Sequence, residues 1–289
     1  MQKNKTIPPG FQFSQSSLQD FVDCPRRFQL RYIWELAWPA LQAEPALENE
    51  GFLRRGVFFH HMVHQHLLGI PEERLAIMIN VYEESDTQAG QDLARWWENY
   101  LAWKGREEGS TLHPEISLSV PQGEYRLVAK YDLILVNDHE YLTIVDWKTS
   151  RKRPKSRWLK ERLQSKIYPY LLVSAGVHLT NAEKIKPEMV EMIYWFTDFP
   201  KEPERFVYSP DRFLEDQAYL SDLVAEITRL GPDDFPLTSR IERCNYCIYR
   251  SFCNRGIRAG SLDELEDSLE TEICMDIVLD FEQIGEIEY

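Results

Sequence analysis

Residues 124–136 read Glu-Tyr-Arg-Leu-Val-Ala-Lys-Tyr-Asp-Leu-Ile-Leu-Val, residues 137–140 read Asn-Asp-His-Glu, and residues 141–147 read Tyr-Leu-Thr-Ile-Val-Asp-Trp. Two β-rich runs flank a segment of turn residues, which predicts a hairpin. Side chains on a strand alternate between faces, so Asp146 and Lys148 share one face and Trp147 takes the other. A register that sets Asp132 opposite would gather two carboxylates and an ammonium into one patch. Neighbouring acids repel unless a cation neutralises them. Hard oxygen donors at such a point suit magnesium or manganese, which could activate a water and stabilise charge on a phosphate. An Asp and a Lys at a strand end are also ordinary surface residues. Asp132 is harder to read that way, because it stands in an apolar run where a carboxylate needs partners.

Outward from this hairpin the periodicity changes. Upstream, residues 14–34 read as a helix, with Ser16 and Gln19 as a capping box and Pro25 breaking it just after Cys24. Residues 35–51 read as a loop, and 54–69 as a helix that carries His60, His61 and His64. Residues 71–84 and 88–104 read as further helices, and Glu115–Val120 as a short strand. Downstream, residues 158–175 form a helix, 189–197 a strand, and Ser209-Pro210 opens a helix that runs to about Leu230. This order predicts an α/β fold with a central mixed sheet flanked by helices, in which residues 70–110 are a helical insertion.

The chain has 289 residues and 43% apolar side chains, enough for a sizeable core. Its first residues lack an apolar leader, and no run approaches the ~18 apolar residues of a membrane span. A cytoplasmic protein is the expectation. The net charge of −14 argues at first against a nucleic-acid partner. However, residues 261–289 hold 11 acids and no Lys or Arg, so the rest of the chain carries only −3. Lys148–Lys166 holds nine basic residues against Glu161 alone, and Arg240, Arg243, Arg250, Arg255 and Arg258 form a second basic group. Local potential, not net charge, attracts a polyanion. The five cysteines are spaced unlike a disulfide framework: Cys244, Cys247 and Cys253 are close together, Cys24 lies far upstream, and Cys274 sits alone in the acidic tail.

Several short segments, in order, resemble the RecB-type nucleases of the PD-(D/E)XK superfamily. Ile144-Val-Asp-Trp-Lys-Thr149 resembles the family's Asp-x-Lys half-motif. Ala129-Lys-Tyr-Asp132 resembles the segment with the other metal-binding Asp, although Ala129 and Lys130 replace a Gly and an Arg. Gly56-x-x-x-His60 is similar to a motif whose His is a metal ligand. Gln164-x-x-x-Tyr168 resembles a signature on the following helix, and Glu115 matches an acid that opens the preceding strand. Without the resemblance, His60 reads as an ordinary core or surface histidine and Gln164 and Tyr168 as helix surface. Cys24 with Cys244, Cys247 and Cys253 looks like the four-cysteine arrangement of AddB-type and CRISPR-adaptation nucleases, which holds a [4Fe–4S] cluster. Zinc is the alternative.

The resemblance implies a restriction-endonuclease-like core. Residues 1–260 would be the nuclease domain, with residues 240–258 as an iron–sulfur segment and 261–289 as an acidic tail. Asp132, Asp146, Lys148, Gln164 and Tyr168 would be catalytic, and His60, Asp132, Asp146 and Glu115 would bind Mg2+ or Mn2+. The expected partner is DNA, as single strands or ends, in repair, recombination or CRISPR adaptation. No P-loop is present, so a helicase would be a separate chain. The other reading is a non-catalytic DNA-binding or scaffold subunit. The tail could imitate DNA and occupy the basic groove, or simply solubilise the chain.

Overall fold

A computed structural model describes residues 6–37, 46–85, 87–104, 109–256 and 260. Arg258, Cys274 and the acidic tail lie outside the described residues. Six strands form one mixed sheet: β1 (Gln12–Phe13), β2 (Thr111–Gln122), β3 (Tyr125–Val136), β4 (Leu142–Lys148), β5 (Val190–Phe196) and β6 (Glu204–Val207). The order is β1-β3-β4-β5-β6, with β2 also paired to β3. β4 runs antiparallel to β3 and parallel to β5, and β6 returns antiparallel to β5. The helices are α1 (Gln15–Asp23), α2 (Pro25–Phe28), α3 (Ala46–Leu67), α4 (Glu72–Ser85), α5 (Thr87–Lys104), α6 (Ser156–Glu161), α7 (Leu163–Ala175) and α8 (Pro210–Arg229). The expected α/β fold with a mixed sheet and flanking helices is therefore present.

Several local expectations are corrected. The capping box of α1 uses Ser14 and Ser17, each side chain accepting from the other's backbone N–H, and not Ser16 and Gln19. Cys24 is extended and Pro25 occupies the first turn of α2, which continues into a π-helical turn at Gln29–Ile33. Pro therefore starts a helix here, where its missing N–H costs nothing. Residues 46–51, expected in a loop, belong to α3. The helix expected over 158–175 is two helices, because Arg162 is extended (φ −63, ψ 148). β2 is longer than expected, and β1 and β6 were not anticipated: at two and four residues they are too short for a periodic pattern.

The chain divides into two compact units. One comprises Met1–Leu53, Val120–Val128 and Gln217–Tyr289. Its core is aromatic: Phe28 meets Phe13, Phe21, Tyr32 and Phe235 at ring distances of 5.3–6.3 Å. The other comprises Arg54–Ser119 and Ala129–Asp216. Its core is built on Trp147, whose ring lies edge-on to Tyr100, Trp103 and Trp195 at 5.0–5.6 Å. Such pairs add to the area they bury, and they fix β4 against α5 and β5. The β3–β4 turn is held by Asn137, whose Oδ1 accepts from the N–H groups of His139 and Tyr141.

Candidate active site

The paired hairpin register ends at Leu133 and Val145, and just beyond it Asp132 on β3 and Asp146 on β4 act on each other electrostatically. Asp132 is gripped from two sides. Its Oδ2 accepts the Trp147 N–H at 2.9 Å, and its Oδ1 lies 3.2 Å from His60 Nδ1 on α3. Asp146 is buried, with Oδ2 at 2.7 Å from Lys148 Nζ and Oδ1 accepting from Gln164 Nε2. Gln164 Oε1 in turn accepts from Lys148 Nζ at 3.0 Å. The i, i+2 alternation of β4 aims Asp146 and Lys148 at the first turn of α7, where one amide serves both. The structure thus brings His60, Asp132, Asp146, Lys148 and Gln164 together.

Glu115 and Tyr168 stand nearby. Glu115 pairs with Lys130 at 2.7 Å, and its charge acts on His60. Glu115 has φ +51, a left-handed conformation that is costly for a non-glycine residue inside a strand. Tyr168 is buried against Tyr131, with ring centroids 4.9 Å apart, and its carbonyl accepts from the Tyr131 hydroxyl. His61 and His64 share α3 with His60 but are not among the contacts of Asp132.

The electrostatics separate the two acids. Burial pushes the Asp146 carboxyl up, and the Asp132 charge adds to this against the pull of Lys148. For Asp132, burial is outweighed by His60, the Trp147 N–H and Lys148, so its pKa falls below the ordinary range. Burial lowers Lys148, and Arg162 lowers it further, against Asp146. His60 is raised: burial opposes its charge, but Asp132, Asp146 and Glu115 prevail.

Arg162 was missed as a member of this neighbourhood. It is buried with its guanidinium 4.6 Å from the Trp158 ring, and its charge reaches Lys148. The sequence cue was an Arg directly before the helix that carries Gln164. Arg153 pairs with Glu204 at 2.5 Å and Arg157 with Glu161, while Arg151, Lys152, Lys155 and Lys160 are exposed. The second basic group is corrected in part: Arg243 is buried on Asp23 and Arg250 is buried as well, whereas Arg240 is exposed and Arg255 half-buried.

Among the described residues, no three His, Cys, Asp or Glu side chains converge as a ready metal cage. The donor chemistry nevertheless fits a hard divalent cation, because two acids and an imidazole meet here. Thr149 Oγ1 and Ser150 Oγ, directly after Lys148, are buried without a hydrogen-bond partner among the described residues. A bound oxygen ligand would relieve that cost.

The PD-(D/E)XK nuclease superfamily matches residues 12–254, which spans β1, the hairpin, α7 and the three clustered cysteines. The chain belongs to the PD-(D/E)XK nuclease superfamily. Nucleases of this superfamily hydrolyse phosphodiester bonds and typically use Mg2+ or Mn2+. Among curated proteins none matches this PD-(D/E)XK nuclease. Solved structures that align with it include the following two. The crystal structure of SSO0001 is 15% identical, with a TM-score of 0.40, covering 84% of this chain and 85% of that one. A protein from Eubacterium rectale described as a "putative exonuclease" is 11% identical, with a TM-score of 0.44, covering 75% of this chain and 79% of that one. No helix among the described residues is long and apolar enough to cross a membrane.

Cys24, Cys244, Cys247 and Cys253 of this PD-(D/E)XK nuclease fall in one unit as free thiols. Cys24 acts electrostatically on Cys244, Cys247 and Cys253. Burial pushes the Cys247 thiol up to about 11, against the nearby Arg27. The two ends of this unit are also tied without the thiols. Arg27 bridges Asp20 and Asp23, Arg243 reaches Asp23, and the Arg26 N–H donates to the Pro236 carbonyl at 3.1 Å.

Proposed function

We propose that this PD-(D/E)XK nuclease is a divalent-metal-dependent deoxyribonuclease, an exonuclease acting on single strands or DNA ends in repair, recombination or CRISPR adaptation. One observation carries the reading: Asp132 and Asp146, on the neighbouring strands β3 and β4, act on each other electrostatically, with Lys148 against Asp146 and His60 against Asp132. Paired acids in a partly buried patch are costly to a fold, and cation binding accounts for keeping them. Asp132, Asp146 and His60, with Glu115 in a lesser role, would hold one or two Mg2+ or Mn2+ ions. A bound ion supplies an activated water and offsets charge developing on the phosphate.

The protein groups do the rest. Lys148 would steady the attacking water or a phosphate oxygen, as a fixed charge in a dry site. Gln164 holds Lys148 and Asp146 in mutual register, and Tyr168, one turn further on α7, would line the path of the strand. Arg151, Lys152, Lys155 and Lys160 would track phosphates, giving salt-sensitive and largely sequence-independent affinity.

The four cysteines would hold a [4Fe–4S] cluster, with Zn2+ as the alternative. Support comes from the electrostatic reach of Cys24 to the other three and from the thiols of buried Cys244 and half-buried Cys247 and Cys253, which a cation would convert to thiolates. Iron and acid-labile sulfide in an anaerobic preparation, with broad visible absorbance, distinguish the cluster from zinc.

The test of function is cleavage of labelled linear and circular single-stranded DNA with Mg2+ or Mn2+, by wild type and Asp146→Ala. Cleavage of the linear form alone, lost in the variant, supports a metal-dependent exonuclease. Cleavage of the circle gives an endonuclease. A folded, metal-loaded wild type that cuts neither returns the second reading, a non-catalytic DNA-binding subunit of a helicase or adaptation complex. The observation favouring that reading is the lack of a converged three-donor group among the described residues.

A further inference from the structure

Between Trp147 and Tyr168 the chain has nine Lys and Arg and one aromatic side chain, Trp158 on α6. Trp158 is half-buried, while its neighbours along the chain, Lys155, Arg157 and Lys160, are exposed. The Arg162 guanidinium lies 4.6 Å from the centre of the ring. Among the described residues this is the ring's one partner by stacking, cation–π contact or hydrogen bond. The indole N–H has no acceptor there and is not buried, so that edge of the ring meets solvent. A guanidinium covers only one face of an indole.

The ring stands on a firm mount. Leu159, the next residue, is fully buried, and its carbonyl accepts from the Ser165 hydroxyl at 2.5 Å and the Arg162 N–H at 3.2 Å. Ser165 Oγ in turn lies 2.7 Å from the Tyr194 hydroxyl on β5. These contacts fix Trp158 and Arg162 at the entry to α7, where Gln164 holds Asp146 and Lys148. A ring placed in advance loses little freedom when it binds. Arg162 also acts electrostatically on Lys148, so the residue behind the ring belongs to the neighbourhood of the candidate active site.

In a duplex, neighbouring bases cover each base face. An unpaired base offers its face to any aromatic ring, whatever its identity, and cations beside that ring suit the flanking phosphates. Given the DNA-nuclease reading, we propose that Trp158 stacks on an unpaired base of the bound strand and is the residue through which this enzyme favours single strands. Selection is then for strandedness and not for sequence.

Fluorescence anisotropy of the full chain in chelator, with labelled single-stranded and duplex oligonucleotides of equal length, tests this without cleavage. Trp158→Ala weakens single-strand binding roughly 5- to 150-fold, the span of one lost base stack, and leaves duplex binding as in the wild type. Trp158→Phe, which keeps a ring, retains most of the affinity. The salt dependence of single-strand binding is the same in wild type and Trp158→Ala, because an indole releases no counterions. In the wild type alone, an abasic position walked along the strand weakens binding at one place, a result that needs no variant to fold. Unchanged single-strand affinity in Trp158→Ala, an equal loss for duplex, or an abasic walk with no weak position overturns the proposal. So does a wild type that binds duplex and single strands alike. Cleavage is read separately with Mg2+ or Mn2+. A wild type that binds in this pattern yet cuts nothing keeps the stacking role and sinks the nuclease reading, whereas cleavage beside an indifferent Trp158 does the reverse.

Discussion

Replacing Lys148 with Met tests whether the site is a mutually compensating buried ion cluster. The ammonium lies 2.7 Å from Asp146 Oδ2, and the two side chains are only 9% and 6% exposed. Removing one partner of such a pair strands the other charge in low dielectric and costs about 3–5 kcal/mol. A domain of this size loses roughly 2–4 °C per kcal/mol, so the metal-free Tm should fall by roughly 6–20 °C. The effect depends on pH. Burial and the neighbouring Asp132 already raise the Asp146 pKa, and loss of Lys148 raises it further. A group whose folded pKa is raised contributes its stability below the unfolded pKa and loses it as pH rises through the folded one. The Lys148→Met penalty is therefore small near pH 4, about the unfolded Asp value, and grows towards neutrality. Adding Asp146→Asn removes the stranded charge and restores most of the stability, while cleavage stays abolished. Thermal melts of wild type, both single variants and the double variant, in chelator at acid and neutral pH, provide the measurement. A neutral-pH penalty under about 1 kcal/mol, the range of exposed pairs, would refute the reasoning. So would a double variant no more stable than Lys148→Met.

Three further outcomes follow from the same geometry. Gln164→Ala frees both Lys148 and Asp146 to reorient, so kcat on single-stranded DNA should fall roughly 10- to 100-fold, as when groups orienting a metal's ligands are lost; steady-state kinetics with unchanged kcat would deny Gln164 a positioning role. Mn2+ at about 100 times its Kd should stabilise the wild type by about 2.7 kcal/mol, and Asp132→Asn should abolish the shift in thermal denaturation. His60 has a raised folded pKa, so its protonated form stabilises the metal-free fold below the unfolded value and that contribution is lost as pH rises through the folded one. Protons and metal then compete at His60, so apparent Mn2+ affinity should rise with pH, and His60→Gln should flatten the dependence in calorimetric titrations.

The β3–β4 hairpin was legible in sequence because both strands are long enough to show period two and their turn has its own chemistry. Asp146, Lys148 and Trp147 follow from alternation alone. The grip of the Trp147 N–H on Asp132 was not legible, because a backbone donor leaves no trace in residue type. Nor was the break at Arg162, where the apolar pattern of α6 and α7 runs on while the backbone turns extended. Arg243 and Arg250 illustrate the opposite error. Arginines close together in sequence resembled a phosphate-binding surface, yet Asp23, 220 residues away in sequence, draws Arg243 inward. Charge counts along a chain cannot separate a surface patch from buried pairing when the partner is that remote.

The same pairing logic accounts for the resting form of the active site. The protein holds three of the four carboxylate oxygens by hydrogen bonds, Asp132 through His60 and the Trp147 N–H and Asp146 Oδ1 through Gln164, while Asp146 Oδ2 faces Lys148 Nζ at 2.7 Å as an ion pair without a hydrogen bond. No three His, Cys, Asp or Glu donors converge among the described residues. The arrangement holds two neighbouring acids, with the Asp146 pKa raised and the Lys148 pKa lowered by burial. A divalent ion would have to displace contacts of Asp132 Oδ1 and Asp146, so its net affinity is the coordination energy less those contacts. Affinity should then respond to the partners as well as to the ligands. His60→Gln weakens a metal site if His60 is a ligand, but strengthens it if His60 mainly competes for Asp132. Manganese titration of that single variant decides which role the imidazole plays.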